Sequence, residues 1–311
     1  MAQQQVLSRK QRDANLVTDR HFAGIPDVHA PIQNTEEQTM TPETLFSLQG
    51  KTAVVTGGAT GIGRMAAEAL IWAGARVLIA SRKGDACEAV AAELNALGAP
   101  GHAEGFGGDV STKEGIEALA SEVQSRTDRL DILMNNAGVS WGASMGEFPY
   151  DAWDRVMSVN VAGLFDLTQK LLPMLKKSGT PNDPARVVNV GSVMGEVPMG
   201  DGAYSYSASK AAVLHLTKIM AKEFSRHHIT VNALAPGPFV SRMTAFATAD
   251  ADNRDKVGKS VPLKRVGRDE DIAGCLLFLC GRGGSYVTGA VIPVSGGLNV
   301  VTAGDIFGET H

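Results

Sequence analysis

Cysteine is scarce in this chain. Cys87, Cys275 and Cys280 are the three among 311 residues, an odd number with neither CxxC nor zinc-ligand spacing, so neither a disulfide framework nor a metal site is expected. They read as buried apolar fillers. Excess positive charge is also missing. Lys plus Arg is 29 and Asp plus Glu is 33, so 29 − 33 = −4, and no basic surface is offered to a nucleic acid. No uncharged apolar run approaches the roughly 20 residues of a membrane span; the nearest runs only from Ile272 to Gly281, and no membrane association is expected. The opening MAQQQVLSRKQRD lacks the apolar centre of a secretory leader, which predicts a cytoplasmic setting. What is present, 44% apolar and 20% charged residues with 35 Gly, is the composition of a globular protein with a compact core.

Residues 1–48 show no sustained hydrophobic period and are rich in Gln, Thr, Asp and Pro, which predicts an extended arm ahead of a single domain over 49–311. Leu7, Val17, Phe22, Ile25 and Leu45 are the side chains that can staple the arm to the domain or to a second subunit; the alternative is a loosely ordered tail. From Lys51 onward, short β-branched runs alternate with longer amphipathic segments, the signature of βαβ units. The runs are KTAVVTG, RVLIAS, HAEGFGGDV, DILMNNAG, ARVVNVGS, TVNALAPG and AVIPVSGG. Helices are predicted near 62–73, 84–97, 112–127, 151–177, 204–226 and 269–280. Several open with Asp, Ser or Thr in capping positions. The strands read as nearly continuous apolar runs, as required when helices cover both faces of a sheet. The expected fold is α/β, a doubly wound parallel seven-stranded sheet of the Rossmann type with helices on both faces. The stretch from Pro238 to Arg268 stands outside the alternation, and its length predicts a substrate lid.

The segment TGGATGIG, from Thr56 to Gly63, lies directly between the first strand and the first helix. Thr56, Gly57, Thr60, Gly61, Ile62 and Gly63 therefore make a tight turn whose bare backbone can approach a diphosphate at a helix N-terminus. Further along, Tyr206 and Lys210 are four residues apart in a segment of helical period, which puts both side chains on one face. A phenol titrates near ~10 and needs a neighbouring cation to serve proton transfer at neutral pH. An ammonium at ~4 Å in an effective dielectric of about 20 supplies on the order of 4 kcal/mol, a thousandfold in the phenolate equilibrium. Tyr204 has Ala208 in the partner position, so it is expected to be a wall of the pocket. Ser192 ends the fifth strand, at the edge where open α/β sheets bind ligands, and its hydroxyl is placed to polarise a carbonyl. No GxSxG elbow surrounds it, which excludes a serine hydrolase.

These motifs occur in a particular order: TGGATGIG, the GDV turn at Gly108 to Val110, NNAG at Asn135 to Gly138, Asn160 in SVNVAG, Ser192 in NVGSV, YSASK at Tyr206 to Lys210, and Pro236 with Gly237. In this order the stretch from Lys51 to Asn299 resembles the short-chain dehydrogenase/reductase family, over roughly four-fifths of the chain. Within the family, the run from Ser192 to Met243 looks most like β-ketoacyl reductases, including those linked to rhamnolipid synthesis. The resemblance implies that Asp109 and Val110 border the adenine, Asn136, Ala137 and Gly138 the nicotinamide ribose, and Ile62 the diphosphate. Pro236 and Gly237 lead to Val240 and Ser241, where Ser241 takes a place often held by Thr and keeps a hydroxyl for the nicotinamide carboxamide. It also implies that Asn160 holds a water linking Lys210 to solvent, the alternative being a helix kink or an interhelical hydrogen bond. The interval from Ser192 to Tyr206 is one residue longer than in many relatives, and the extra residue falls in VPMGDGA.

The end of the second strand selects the cofactor. An enzyme for NAD carries a carboxylate there for the ribose 2′-hydroxyl, whereas a 2′-phosphate needs a cation. This chain has Ser81, Arg82 and Lys83, which predicts NADP (NADPH); Thr60 replaces a second basic residue common in NADP relatives, which keeps dual use open. The expected activity is NADPH-dependent reduction of a ketone to a secondary alcohol, reversible, with a β-ketoacyl thioester as the candidate substrate. In this expectation Tyr206 gives the proton, Ser192 orients the carbonyl, and Lys210 with Asn160 resupplies the proton. The alternatives are an NAD(H)-dependent alcohol dehydrogenase and a non-catalytic dinucleotide-sensing protein. A homotetramer or homodimer is implied by the resemblance.

Overall fold

The computed structural model describes residues 39–300 apart from 242 and 249, and the side chains of 246 and 247 are not described. Seven parallel strands are ordered β3-β2-β1-β4-β5-β6-β7. They are β1 Thr52–Thr56, β2 Arg76–Ser81, β3 His102–Gly107, β4 Ile132–Asn135, β5 Ala185–Val190, β6 Ile229–Pro236 and β7 Val291–Val294. The helices are α1 Pro42–Phe46, α2 Gly61–Trp72, α3 Gly84–Asn95, α4 Lys113–Arg126, α5 Tyr150–Met157, α6 Leu164–Ser178, α7 Tyr204–Phe224, α8 Ala245–Thr248, α9 Ala251–Ser260 and α10 Asp269–Cys280. All seven strands and six main helical segments fall where the sequence places them, so the doubly wound sheet expected from the pattern is the fold.

The five inner strands are buried on both faces, which is why they carry little polar alternation. In β2, Val77 and Ile79 join the core beneath α2, α3 and α10, with Leu70, Leu94 and Leu276. The intervening Leu78 and Ala80 join the opposite core, with Leu119, Leu171 and Val213 of α4, α6 and α7. The period of two along a strand feeds two cores at once.

Three features depart from the pattern. The helix expected over 151–177 is interrupted by a π-turn, Ser158–Gly163, between α5 and α6. The stretch 238–268, expected to be an irregular lid, carries α8 and α9 and is tied at its base by a bridge between Phe239 and Gly267. Residues 1–38 of the stretch read as an arm, with Leu7, Val17, Phe22 and Ile25, lie outside the described residues, but Pro42–Phe46 is helical and Leu48 is buried, its N–H donating to the Ala73 carbonyl at 2.7 Å.

The two edges of the sheet are built differently. At the amino edge, Asp131 is buried between Lys51 at 3.4 Å and Arg129 at 2.7 Å. Asp183 joins the same cluster through Lys51 and Arg186. At the carboxyl edge, β1 lies beside β4, so the direction of chain progression reverses there. That is the position at which an open α/β sheet leaves a crevice for a ligand.

Candidate active site

Thr56 closes the seam between β1 and β4. Its hydroxyl accepts from the N–H groups of Asn136 and Ala137, both at 3.0 Å, while the Asn136 amide donates to the Thr56 carbonyl at 2.8 Å. Gly57, at φ +67°, turns the chain into α2 above this joint. A Cβ on Gly57 would meet the Asn136 amide nitrogen at 2.9 Å, and one on Gly63 would run into the Gly57 carbonyl. Only bare backbone fits. Thr60 precedes α2 without a side-chain cap bond, so the first-turn N–H groups of that helix have no side-chain acceptor at the cap. This cradle of glycine and helix N-terminus fits a dinucleotide diphosphate.

Two clefts open from it. The larger, of about 550 Å³, is lined by Gly57, Thr60, Gly61, Ile62, Asn136, Ala137, Gly138, Ser192, Tyr206, Lys210, Pro236, Gly237 and Ser241. The smaller, of about 140 Å³, is lined by Thr56, Ser81, Arg82, Asp109 and Val110, and shares Gly57, Ala137 and Gly138 with the first. Four expected residues line neither. Gly63 backs the Gly57 carbonyl from within α2. Lys83 precedes α3, its N–H donating to the Ser81 hydroxyl at 3.3 Å. Val240 faces a separate groove, with Met65 and Arg268, while its neighbours Phe239 and Ser241 face the large cleft. Asn160 is buried beneath the floor.

Ser192 follows β5 and caps a short 3-10 turn, its oxygen accepting from the Met194 N–H at 3.2 Å. This capping bond uses the oxygen as an acceptor and leaves the hydroxyl proton able to point at a substrate. Tyr206 and Lys210 come from the first turns of α7. The Lys210 ammonium donates to the Val190 carbonyl at 2.7 Å and lies over the Tyr206 ring, 5.7 Å from its centroid. Burial pushes the Tyr206 phenol above its ordinary range, with the Ser192 hydroxyl pulling back, and burial pushes Lys210 down to about 8. The lowering of the phenol by an adjacent ammonium, expected from the four-residue spacing, is not what this geometry produces. Desolvation raises the phenol instead, with the Lys210 ammonium 5.7 Å from the ring centroid.

The Asn160 side chain makes three hydrogen bonds. Its amide oxygen accepts from the Val139 N–H at 2.8 Å, and its amide nitrogen donates to the Val139 carbonyl and to the Ser209 hydroxyl, both at 2.9 Å. The interhelical hydrogen bond is present at a helix irregularity, and both amide protons are engaged. Tyr204 is a second correction. It packs edge-on against Phe148, with centroids 5.8 Å apart, and is not among the residues lining either cleft. Trp141, Phe239 and Arg155 also line the large cleft. Nothing in their local sequence signals this, since each is brought in by the loop or helix that follows a strand.

Residues 57–299 match the family described as enoyl-(acyl carrier protein) reductase. The chain is a short-chain dehydrogenase/reductase. Among this family, it is 44% identical over 255 residues to the rhamnolipids biosynthesis 3-oxoacyl-[acyl-carrier-protein] reductase of Pseudomonas aeruginosa, covering 82% of this chain and 98% of the relative. It is 37% identical over 254 residues to the 3-oxoacyl-[acyl-carrier-protein] reductase of Aquifex aeolicus, covering 81% and 99%. Among solved structures, the Pseudomonas aeruginosa RhlG/NADP active-site complex matches with a TM-score of 0.79 at 44% identity, over 83% of this chain and 99% of that one. As a short-chain dehydrogenase/reductase the chain is an oxidoreductase acting between C=O and CH–OH groups.

Proposed function

We propose that this protein reduces the ketone of a 3-oxoacyl thioester to a secondary alcohol with NADPH. The observation that carries this reading is the gathering of Ser192, Tyr206 and Lys210 at the floor of a cleft that begins at a phosphate cradle. The Tyr206 O–H can give its proton to an oxygen that becomes an alkoxide, and the same groups run the reverse oxidation. The names of the 3-oxoacyl reductases among the relatives support the substrate class.

The residues divide the work. Gly57, Gly61 and the first turn of α2 hold the diphosphate. Arg82, exposed at the edge of the small cleft, offers a planar cation to the 2′-phosphate, and Ser81 to Lys83 at the end of β2 include no carboxylate, Asp109 entering the cleft from beyond β3. When bound, the reduced nicotinamide supplies the hydride. Ser192 donates a hydrogen bond to the substrate oxygen as negative charge develops there. Tyr206 Oη then loses its proton to that oxygen. Lys210, fixed by the Val190 carbonyl, keeps a proton on its ammonium close to the phenol ring. Asn160 acts at one remove, by holding Val139 at the back of the cleft. We read the enzyme as a cytoplasmic homodimer or homotetramer, with half-exposed Phe165 on α6 and Ile219 on α7 available to a second copy. Loss of NADPH absorbance on addition of 3-oxoacyl thioesters tests the activity. A purified protein that binds NADPH but turns over none of them overturns it in favour of a dinucleotide-sensing role.

A further inference from the structure

The large cleft is unusual in what flanks its catalytic floor. Ser192 follows β5, the strand between β4 and β6. Trp141 stands in the loop after β4 and Met243 in the loop after β6, the strands that flank β5, and both line the cleft. Each is a large apolar side chain left 43% and 40% exposed, an arrangement that costs solvation unless something covers it. Among the described residues, the only charged side chains lining this cleft are Lys210, committed to Val190, and Arg155 on α5; no carboxylate lines it.

Both side chains are presented by braced turns. Met243 lies between Ser241 and Thr244, whose hydroxyls bond at 3.0 Å, and Thr244 Oγ1 donates to the Phe239 carbonyl at 2.5 Å. Phe239 in turn is buried against Gly267 at the base of the segment. On the other wall, the Ala143 N–H two residues past Trp141 donates to the Gly202 carbonyl at 3.2 Å. Gly202 belongs to the VPMGDGA loop, which carries one residue more than the usual interval between the serine and the tyrosine. The loop leading into Tyr206 thus also steadies the Trp141 wall.

We propose that Trp141 and Met243 form the two walls of an acyl channel, between which the apolar tail of the substrate lies while its ketone meets Ser192 and Tyr206, so that these two residues set the preferred chain length. This deepens the proposed function and rests on it. The ligand such walls select is a 3-oxoacyl group with a medium or long alkyl tail, rather than a small polyhydroxy ketone, which would leave both walls wet.

The test is kcat/KM for NADPH-dependent reduction of N-acetylcysteamine thioesters from 3-oxobutanoyl to 3-oxododecanoyl. In the unaltered protein the value should rise about two- to fourfold per methylene, the range between a partly and a fully buried CH2, until the tail clears the walls. In Trp141→Ala the ratio of the decanoyl to the butanoyl substrate should drop by about tenfold or more. Met243→Ala should show a smaller drop, and Trp141→Phe should restore most of the ratio. Undiminished quenching of NADPH fluorescence would show that the variants fold and load. A flat chain-length profile in the unaltered protein, or a ratio unchanged in Trp141→Ala, overturns the channel while leaving the reductase reading intact. Turnover of no 3-oxoacyl thioester by the unaltered protein removes both.

Discussion

Asn160 grips Val139 by both of its backbone groups, accepting from its N–H at 2.8 Å and donating to its carbonyl at 2.9 Å. An asparagine inside a helical run opposes local propensity. Here the π-turn that carries it brings the amide level with the strand-end loop.

Asn160→Ala strands these part-buried groups together with the buried Ser209, at up to about 1 to 3 kcal/mol for each polar group left unpaired. The melting temperature should drop by several degrees and the KM for NADPH should rise, because Gly138 and Val139 line the cleft. A variant with unchanged melting temperature and a lowered kcat alone would return Asn160 to the relay role.

Tyr206→Phe keeps the ring under Lys210 and removes only the proton. Reduction should slow by about a hundredfold to ten-thousandfold, the usual worth of a positioned acid, while NADPH still binds. A rate within threefold of the unaltered protein would mean that another group supplies the proton.

Lys210 makes stability depend on pH in an unusual direction. Its pKa is lowered from 10.5 to about 8 by burial, so between those values the unfolded chain holds a proton that the folded one has shed. Stability from this group rises with pH across that window. Below it, the buried charge costs about 3 kcal/mol, offset in part by the bond to Val190. Lys210→Met should therefore melt higher than the unaltered protein at pH 7, and the gap should close toward pH 10. Denaturation curves of the pair at both pH values decide it; a constant gap would show that the ammonium is not desolvated.

Arg82→Ala removes the cation at the small cleft. Charge-assisted bonds are worth about 1.5 to 3 kcal/mol, so the KM for NADPH should rise about tenfold to a hundredfold with that for NADH little changed. Equal losses for both cofactors would mean that Arg82 serves the strand end and not the 2′-phosphate.

The strands and main helices were legible because the five inner strands are apolar runs buried on both faces and the segments between them keep a helical period. The helix Ala251–Ser260 was not legible, since ADNRDKVGKS is polar all round and buries only Gly258. The π-turn was not legible either, because an extra residue in a helix leaves the apolar spacing of SVNVAG almost unchanged. The glycine turn, Ser192, Tyr206 and Lys210 could be read from spacing, but the upward push on the Tyr206 phenol could not. It depends on desolvation, which no spacing encodes, and the same holds for Trp141, which enters the cleft through sheet order alone.

The Thr56 hydroxyl stitches Asn136 and Ala137 at the place where the sheet changes direction. Strands β1 to β3 form one wing and β4 to β7 the other, and the phosphate cradle sits on the first while the chemistry sits on the second. A dinucleotide bridging them acts as a second rivet above the first, adding resistance to heat with the logarithm of its concentration over its dissociation constant. The lifetime of the folded enzyme is thereby tied to the supply of its own reductant.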